Sequence, residues 1–334
     1  MSVPVLTFFN NTSGVGKTSL AFHVAWMLSE LGKSVVTIDL DPQANLTAGF
    51  LPDETLEGLW ESSSEASAGT IFQSLQPLMR TGDLRRPRTQ RITEKLHLIP
   101  GDLLLSSFED SLSEEWPKAL GSSNLYRPFR MATAFWQLAQ MAAEDHQADI
   151  ILADVGPHLG AINRSALIAS DCVIVPLAAD LFSIVGLKNL GPTLRNWRRD
   201  WRKRVDNWPD PEMALPEGRM APIGYILMQH GERLNRPVKA YRNWSDQIPA
   251  RYRESVLGQD ATLIPSPDPN CIAQVRHYRS LAPMAQEHRK PIFHLTAADG
   301  AIGGHAEAVR AVGESFRSLS HEILSRMAAS LNPT

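Results

Sequence analysis

Asn10-Asn11-Thr12-Ser13-Gly14-Val15-Gly16-Lys17-Thr18-Ser19 joins a short apolar run, Val5–Phe9, to a segment with Leu20, Val24, Leu28 and Leu31 at helical spacing. Glycines in such a loop let the main chain approach an anion without a Cβ in the way. Successive backbone N–H groups at a helix start, with the positive end of the helix dipole behind them, cradle phosphate. In that setting Lys17 reaches the β- and γ-phosphates and the Thr18 hydroxyl ligates Mg²⁺. Thr12, Ser13, Gly14, Val15, Gly16, Lys17, Thr18 and Ser19 are thus the candidate phosphate-loop residues. A plain glycine-rich turn is the competing reading, and the strand–loop–helix context argues against it.

The elements that must hold this loop alternate strand and helix. Ser34–Leu40, Leu96–Ile99, Ile150–Ala153, Cys172–Val175, Ile223–Leu227 and Pro291–Leu295 read as strands. The continuous apolar runs among them suit parallel strands covered on both faces. Arg127–Asp145 reads as one helix, and a last helix from about Ala306 to Met327 carries Val309, Val312, Phe316, Leu319 and Ile323 on one stripe. This alternation predicts an α/β fold with a doubly wound, mostly parallel sheet flanked by helices. The whole of 1–334 reads as one domain. Two stretches break its rhythm: a mobile excursion at about 52–91, rich in Ser, Gly, Pro and Arg, and a basic, Pro-rich insertion at about 195–219.

Composition narrows the function classes. The 43% apolar and 21% charged residues fit a soluble globular protein rather than a disordered one. A net charge of -3 excludes a uniformly basic nucleic-acid binder but leaves room for a local patch. The 2 cysteines, Cys172 and Cys271, make neither a disulfide framework nor a four-cysteine zinc site. That is compatible with a reducing cytoplasm. No apolar run approaches a membrane span, and no signal peptide is expected at the N-terminus.

The strict Walker pattern needs glycine where this chain has Asn11. The loop instead resembles the deviant Walker A box of the ParA/Soj/MinD family. Val35-Val36-Thr37-Ile38-Asp39-Leu40-Asp41-Pro42-Gln43-Ala44-Asn45-Leu46-Thr47 is very similar to that family's switch segment, and Asp149–Asp154 followed by Val155-Gly156-Pro157 to its Walker B strand and turn. Asn163, Ala166, Leu167, Asp171, Phe182, Gly186-Leu187 and Lys290-Pro291-Ile292 continue the match. The resemblance implies a P-loop NTPase fold of the ParA/MinD/nitrogenase iron protein type. It implies an ATPase that uses ATP and Mg²⁺ and forms a nucleotide-sandwich homodimer. Such a protein positions or segregates a cargo on non-specific DNA with a ParB-like or cargo-adaptor partner, away from any membrane, in the cytoplasm and on the nucleoid. It assigns Asp41 to position the attacking water, and Asp39 and Asp154 to hold Mg²⁺ through its water shell. An Asp-Pro pair is also a ready turn former. The adenine would meet Gln229 and the Pro265-Ser266-Pro267 loop; Gln229 as an ordinary strand-end polar residue stands beside that reading.

The family's signature lysine is absent: Thr12 occupies its position and Ser13 replaces a glycine. The carboxysome-positioning branch also lacks that lysine. Arg164, just past the Walker B turn, is a candidate substitute acting across the dimer, or an ordinary surface arginine. Arg195–Arg204 interleaves six cations with Trp197 and Trp201. It reads as a non-specific DNA patch through Arg198, Arg199 and Arg202, with Arg276 and Arg279 as a second group, or as a solvated helix face. Two rival functions remain: a nucleotide-dependent interaction module with little hydrolysis, and an amide synthase or dethiobiotin synthetase-like enzyme of the same fold.

Overall fold

The computed structural model describes residues 2–61, 69–80, 82–210, 212–228, 243–276, 278 and 280–332. Eight strands form one sheet: β1 Val5–Phe8, β2 Val35–Asp39, β3 Gln90–Arg91, β4 Leu96–Ile99, β5 Ile150–Asp154, β6 Cys172–Ala178, β7 Ala221–Met228 and β8 Cys271–Val275. Their order is β3-β4-β2-β5-β1-β6-β7-β8, parallel throughout except for the short antiparallel edge strand β3. Side chains alternate between two apolar layers, as the strand period requires. Val5, Val36, Ile38, Ile151, Val173 and Val175 face one core; Leu6, Phe8, Val35, Ile150, Leu152 and Ile174 face the other.

The second core is covered by α1 (Lys17–Glu30) and by the C-terminal helix Gly304–Leu331. Its stripe of Val309, Val312, Phe316, Leu319 and Ile323 is buried there. The first core lies under α5 (Phe108–Lys118), α6 (Tyr126–Ala132), α7 (Ala134–Asp145), α8 (Ala161–Ile168) and α9 (Leu181–Val205). Among the described residues, no helix is long and apolar enough to cross a membrane.

Four expectations need correction. Arg127–Asp145 is two helices that meet at Thr133, whose backbone leaves helical geometry (φ -106, ψ 6) while its hydroxyl donates back to Phe129 O at 2.7 Å. Pro291–Leu295 is no strand but a short 3-10 turn at Ile292–His294. The eighth strand is β8, where Cys271, Ile272 and Ala273 are only half-buried because it lies at the sheet edge. Residues 52–91 are not simply an excursion. After α2 (Asn45–Phe50), the described residues of this stretch form two short helices, α3 (Asp53–Glu61) and α4 (Ile71–Arg80), before β3, and Ile71, Leu75 and Leu78 of α4 are fully buried in the first core. The basic segment from Arg195 is no insertion either: through Val205 it is the last part of the 25-residue helix α9.

Candidate functional site

The loop after β1, the switch segment after β2 and the turn after β5 meet at the carboxyl ends of three adjacent strands, where open α/β sheets bind ligands. A cleft of about 570 Å³ opens there. Ser13, Gly14, Gly16, Lys17, Thr18, Ser19 and Asp41 line it, with Pro157 from the β5 turn. Gly14 (φ 73) and Gly16 (φ 82) are both left-handed, the conformation glycine adopts without strain. A Cβ on Gly16 would also fall 2.8 Å from the Met228 methyl. Val15 is buried. Asn10 fixes the loop's entry: its amide donates to Pro176 O at 2.7 Å, and its Oδ1 accepts from Thr12 N at 3.0 Å.

Lys17 Nζ donates to Thr12 O at 2.9 Å and is 7% exposed. Burial pulls its pKa down, while Asp154 and Asp41 favour its charged form. Asp154 is fully buried, and neither of its oxygens makes a well-formed hydrogen bond. Burial, then the neighbouring Asp39, push its pKa well up; the Thr18 hydroxyl and Lys17 counter the shift. A buried acid left this short of donors suits a cation or its water shell. Asp154 beside Thr18 therefore fits Mg²⁺.

Asp39 pairs with Asp154 in register across β2 and β5 but is already occupied. Its Oδ2 accepts from Thr47 N (2.8 Å) and Thr47 Oγ1 (2.7 Å), and its Oδ1 from Asp41 N (3.2 Å). Gly101 N in turn donates to Thr47 Oγ1 at 2.7 Å. The structure thus shows Asp39 shaping the switch turn. Burial is the main reason its pKa rises.

Asp41 is buried, and its Oδ1 accepts from Gln43 N at 3.0 Å. Gly156 lies so close that a Cβ there would sit 3.2 Å from Asp41 Oδ1. Asn163 holds that turn, donating through Nδ2 to Gly156 O (2.7 Å) and His158 O (2.5 Å). Glu109 of α5 caps α8, accepting from Ala161 N and Ile162 N. The sequence reading quoted Asn163 only as part of a motif and missed Glu109, which sits 52 positions from its partner and carries no local signal.

His23, one turn beyond Ser19, is the tie between α1 and the C-terminal segment. Its ring is stacked on Phe316 (4.9 Å between centroids). Nδ1 meets Ser19 O at 2.7 Å, and Nε2 accepts from Ile292 N at 3.2 Å, so the neutral ring carries its proton on Nδ1. Burial lowers its pKa to about 4. A base depressed in the folded state protonates first in the unfolded chain. Its contribution is therefore complete above pH 6.5 and is lost as pH falls toward 4. The full loss amounts to about 3 kcal/mol. Asp39 and Asp154, whose pKa values are raised, act in the opposite sense over this window. The measurement is therefore the difference between wild type and His23→Gln, which cannot titrate: urea denaturation should show the wild type losing stability relative to the variant between pH 7 and pH 5.

Several predicted residues stand elsewhere. Pro265 and Pro267 are exposed and do not line the cleft. Gln229 and Arg279 lie outside the described residues. The Arg164 guanidinium rests 4.2 Å from the Trp116 ring centroid, with that of Arg204 at 3.7 Å, rather than standing free beside the loop. Arg198 is not a surface cation: its Nη2 donates to Met220 O at 2.7 Å, and it is half-buried. Trp201 is fully buried, with its indole N–H bonded to Pro216 O, and Arg204 is buried beside it. Arg199, Arg202 and Arg276 are exposed; Arg199 also lies 3.5 Å from Asp200.

Residues 3–206 match a family described as an AAA domain. The cell division protein PomZ of Myxococcus xanthus is 29% identical over 202 residues, 60% of this chain and 54% of PomZ. The virulence plasmid ParA family protein pGP5-D of Chlamydia psittaci is 28% identical over 190 residues, 55% of this chain and 61% of that protein. Among solved structures, a putative plasmid partition protein of Borrelia burgdorferi B31, bound to AMPPNP, superposes with a TM-score of 0.60. That match covers 97% of this chain and 99% of the other at 17% identity, a likeness of fold. The chain spans 54% to 62% of the length of three curated relatives that it matches.

Proposed function

From the premise that this chain belongs to the AAA domain family, as a ParA-type P-loop ATPase, we propose that it binds Mg²⁺-ATP, hydrolyses it slowly, and uses the cycle to position or segregate a cargo. One observation carries the reading: Lys17, Thr18, Asp41 and the under-bonded Asp154 converge on one cleft at the end of the sheet. Mg²⁺, which Thr18 and Asp154 would hold, would supply neutralisation of the phosphate charge. The chain's own residues do the rest. The loop N–H groups and Lys17 bind phosphate, Thr18 and Asp154 hold the ion's shell, and Asp41 orients the attacking water. The shaped turn under Asp41, fixed by Gly156, Asn163 and Glu109, keeps that carboxylate in place. Because Thr12 brings no charge to the γ-phosphate, turnover is slow without a partner.

Dimerisation on ATP is part of the proposal. Phe182 is 71% exposed, and Leu181, Val185 and Leu159 are exposed at the same strand-end edge. Gly186 packs against the loop, where a Cβ would lie 3.0 Å from Asn11 Oδ1. An apolar rim around a phosphate site suits closure onto a second copy. The partner protein is ParB-like or a cargo adaptor. Light scattering with ATP, ADP and no nucleotide, alongside phosphate release, tests the reading. Absence of both ATP binding and ATP-dependent dimers would sink it, and amidation activity would favour the synthase alternative.

DNA is the proposed matrix, held without sequence preference through Arg199, Arg202 and Arg276. Affinity should fall steeply with salt. Removing Arg202 in both copies should flatten the log–log salt slope by about 2, since each lost phosphate contact is worth about 0.9. Fluorescence anisotropy with a random duplex at several salt concentrations measures this. A slope unchanged in Arg202→Ala removes that residue from the interface.

A further inference from the structure

On the premise that Asp41 orients the attacking water, we propose that Thr47 is the positioning residue of the switch turn, and that the loop after β4 clamps it through the Gly101 N–H. The turn from Leu40 to Leu46 carries Asp41 and is closed at both ends on one carboxylate. Asp39 Oδ2 accepts from Thr47 N at 2.8 Å and from Thr47 Oγ1 at 2.7 Å, and Asp39 Oδ1 accepts from Asp41 N at 3.2 Å. The Thr47 hydroxyl has one proton and gives it to Asp39, so its oxygen is free to accept. Gly101 N donates to that oxygen at 2.7 Å. Asp39 and Thr47 are both 0% exposed, so bulk water does not compete for these bonds. Thr47 and Gly101 line no part of the cleft. Thr47 therefore acts through Asp39 and the turn, not on the nucleotide.

The turn needs such a clamp because one of its own residues opposes it. Ala44 sits at φ 51, a left-handed conformation that a residue with a Cβ rarely adopts. A strained residue of this kind persists where its surroundings over-determine it. Ala44 N donates to Asp41 O at 2.8 Å, so the strained residue and the water-orienting carboxylate share one turn. The clamp is itself held from outside. Trp60 Nε1 of α3 donates to Gly101 O at 3.3 Å, and Ile71 N of α4 to Pro100 O at 2.8 Å. Thr70 Oγ1, just before α4, donates to Asp102 Oδ2 at 2.6 Å. The contact has no slack: a Cβ on Gly101 would lie 2.9 Å from Asp39 Cγ and Oδ2 and 3.1 Å from Ala44 Cβ. Close approach therefore requires glycine at 101, and the stretch 53–102 fixes the loop that fixes Thr47.

Thr47→Val keeps the side-chain shape and removes the hydroxyl, leaving Gly101 N without its acceptor. At saturating ATP its single-turnover rate should fall about 10- to 100-fold, because a small displacement of a reacting group is costly. ATP affinity should stay within about threefold of wild type, the split expected of a group that acts only on the chemical step. Thr47→Ser keeps the hydroxyl and should stay within about threefold of wild type in both rate and affinity. Gly101→Ala reaches the same node from the opposite side and should show the same split as Thr47→Val. In the nucleotide-free protein, solvent exchange of the Gly101 amide should quicken at least about tenfold in Thr47→Val. If Thr47→Val does not fold, Gly101→Ala decides on the same criterion. The assignment is overturned if Thr47→Val hydrolyses ATP at the wild-type rate or if Thr47→Ser is as slow as Thr47→Val. It is equally overturned if rate and affinity fall together, or if the Gly101 amide exchanges as in wild type. Failure of the wild type to bind ATP, or a wild-type single-turnover rate in Asp41→Asn, would instead remove the reading on which the proposal rests.

Discussion

Lys17→Ala should abolish nucleotide binding. Lys17 is 7% exposed, its ammonium donates to the Thr12 carbonyl, and the nearby carboxylates of Asp154 and Asp41 favour its charge. Without it, a polyphosphate would meet the carboxylates of Asp41 and Asp154 with no cation from the loop, and Lys290, the other lysine lining the cleft, is taken up by Asp299. Truncating one member of a buried charged set costs about 2–5 kcal/mol, a loss of roughly 30- to 5,000-fold in affinity. Hydrolysis and ATP-dependent dimerisation should disappear with it. Titration with a fluorescent ATP analogue measures the change, and circular dichroism checks that the variant is folded. ATP affinity within threefold of wild type would show that the loop is not a phosphate site.

The sequence made the centre of the molecule legible because the signals there are local. A Gly-x-Gly-Lys-Thr turn between an apolar run and a helical stripe, and aspartates at strand ends, occupy a few consecutive positions each. β1, β2, β4, β5, β6 and β7 were legible for the same reason, being apolar runs bounded by turns. What escaped depends on distant partners. Ile71, Leu75 and Leu78 have helical spacing but sit in a serine- and proline-rich stretch whose composition suggests a loop. Arg198 and Arg204 read as surface charge from the sequence. Only the fold shows that Met220 O and the Trp116 ring take up their guanidinium groups. Asp39 carries the same side chain as Asp154 one strand away, yet Thr47 and the Asp41 N–H take up its two oxygens while those of Asp154 stay open. That Tyr278 and Gln286 line the same cleft as Lys17 was invisible because the chain returns to the loop after more than about 250 residues.

Asp41→Asn should leave ATP binding within a few-fold of wild type and lower hydrolysis by about 10²–10⁴, the range for losing a positioned base. The substitution keeps an oxygen for Gln43 N, so the switch turn can retain its hydrogen bond. What disappears is the negative charge that orients water toward phosphorus. Because Asp41 is one of the two carboxylates supporting the Lys17 charge, a small change in affinity is also expected. Single-turnover measurements suit this test, since the proposed function expects Thr12 to keep the wild-type rate low. Arg164 sharpens the argument. For that guanidinium to serve a partner's phosphate it must leave Trp116, giving up about 0.5–2 kcal/mol of cation–π attraction. On the proposed reading, catalysis in the isolated protein would rest mainly on Asp41, Lys17 and Mg²⁺, and removing the Asp41 charge should slow turnover while ATP and dimers accumulate. An Asp41→Asn protein that hydrolyses ATP at the wild-type single-turnover rate would transfer the water-positioning role elsewhere and leave Asp41 as a turn former.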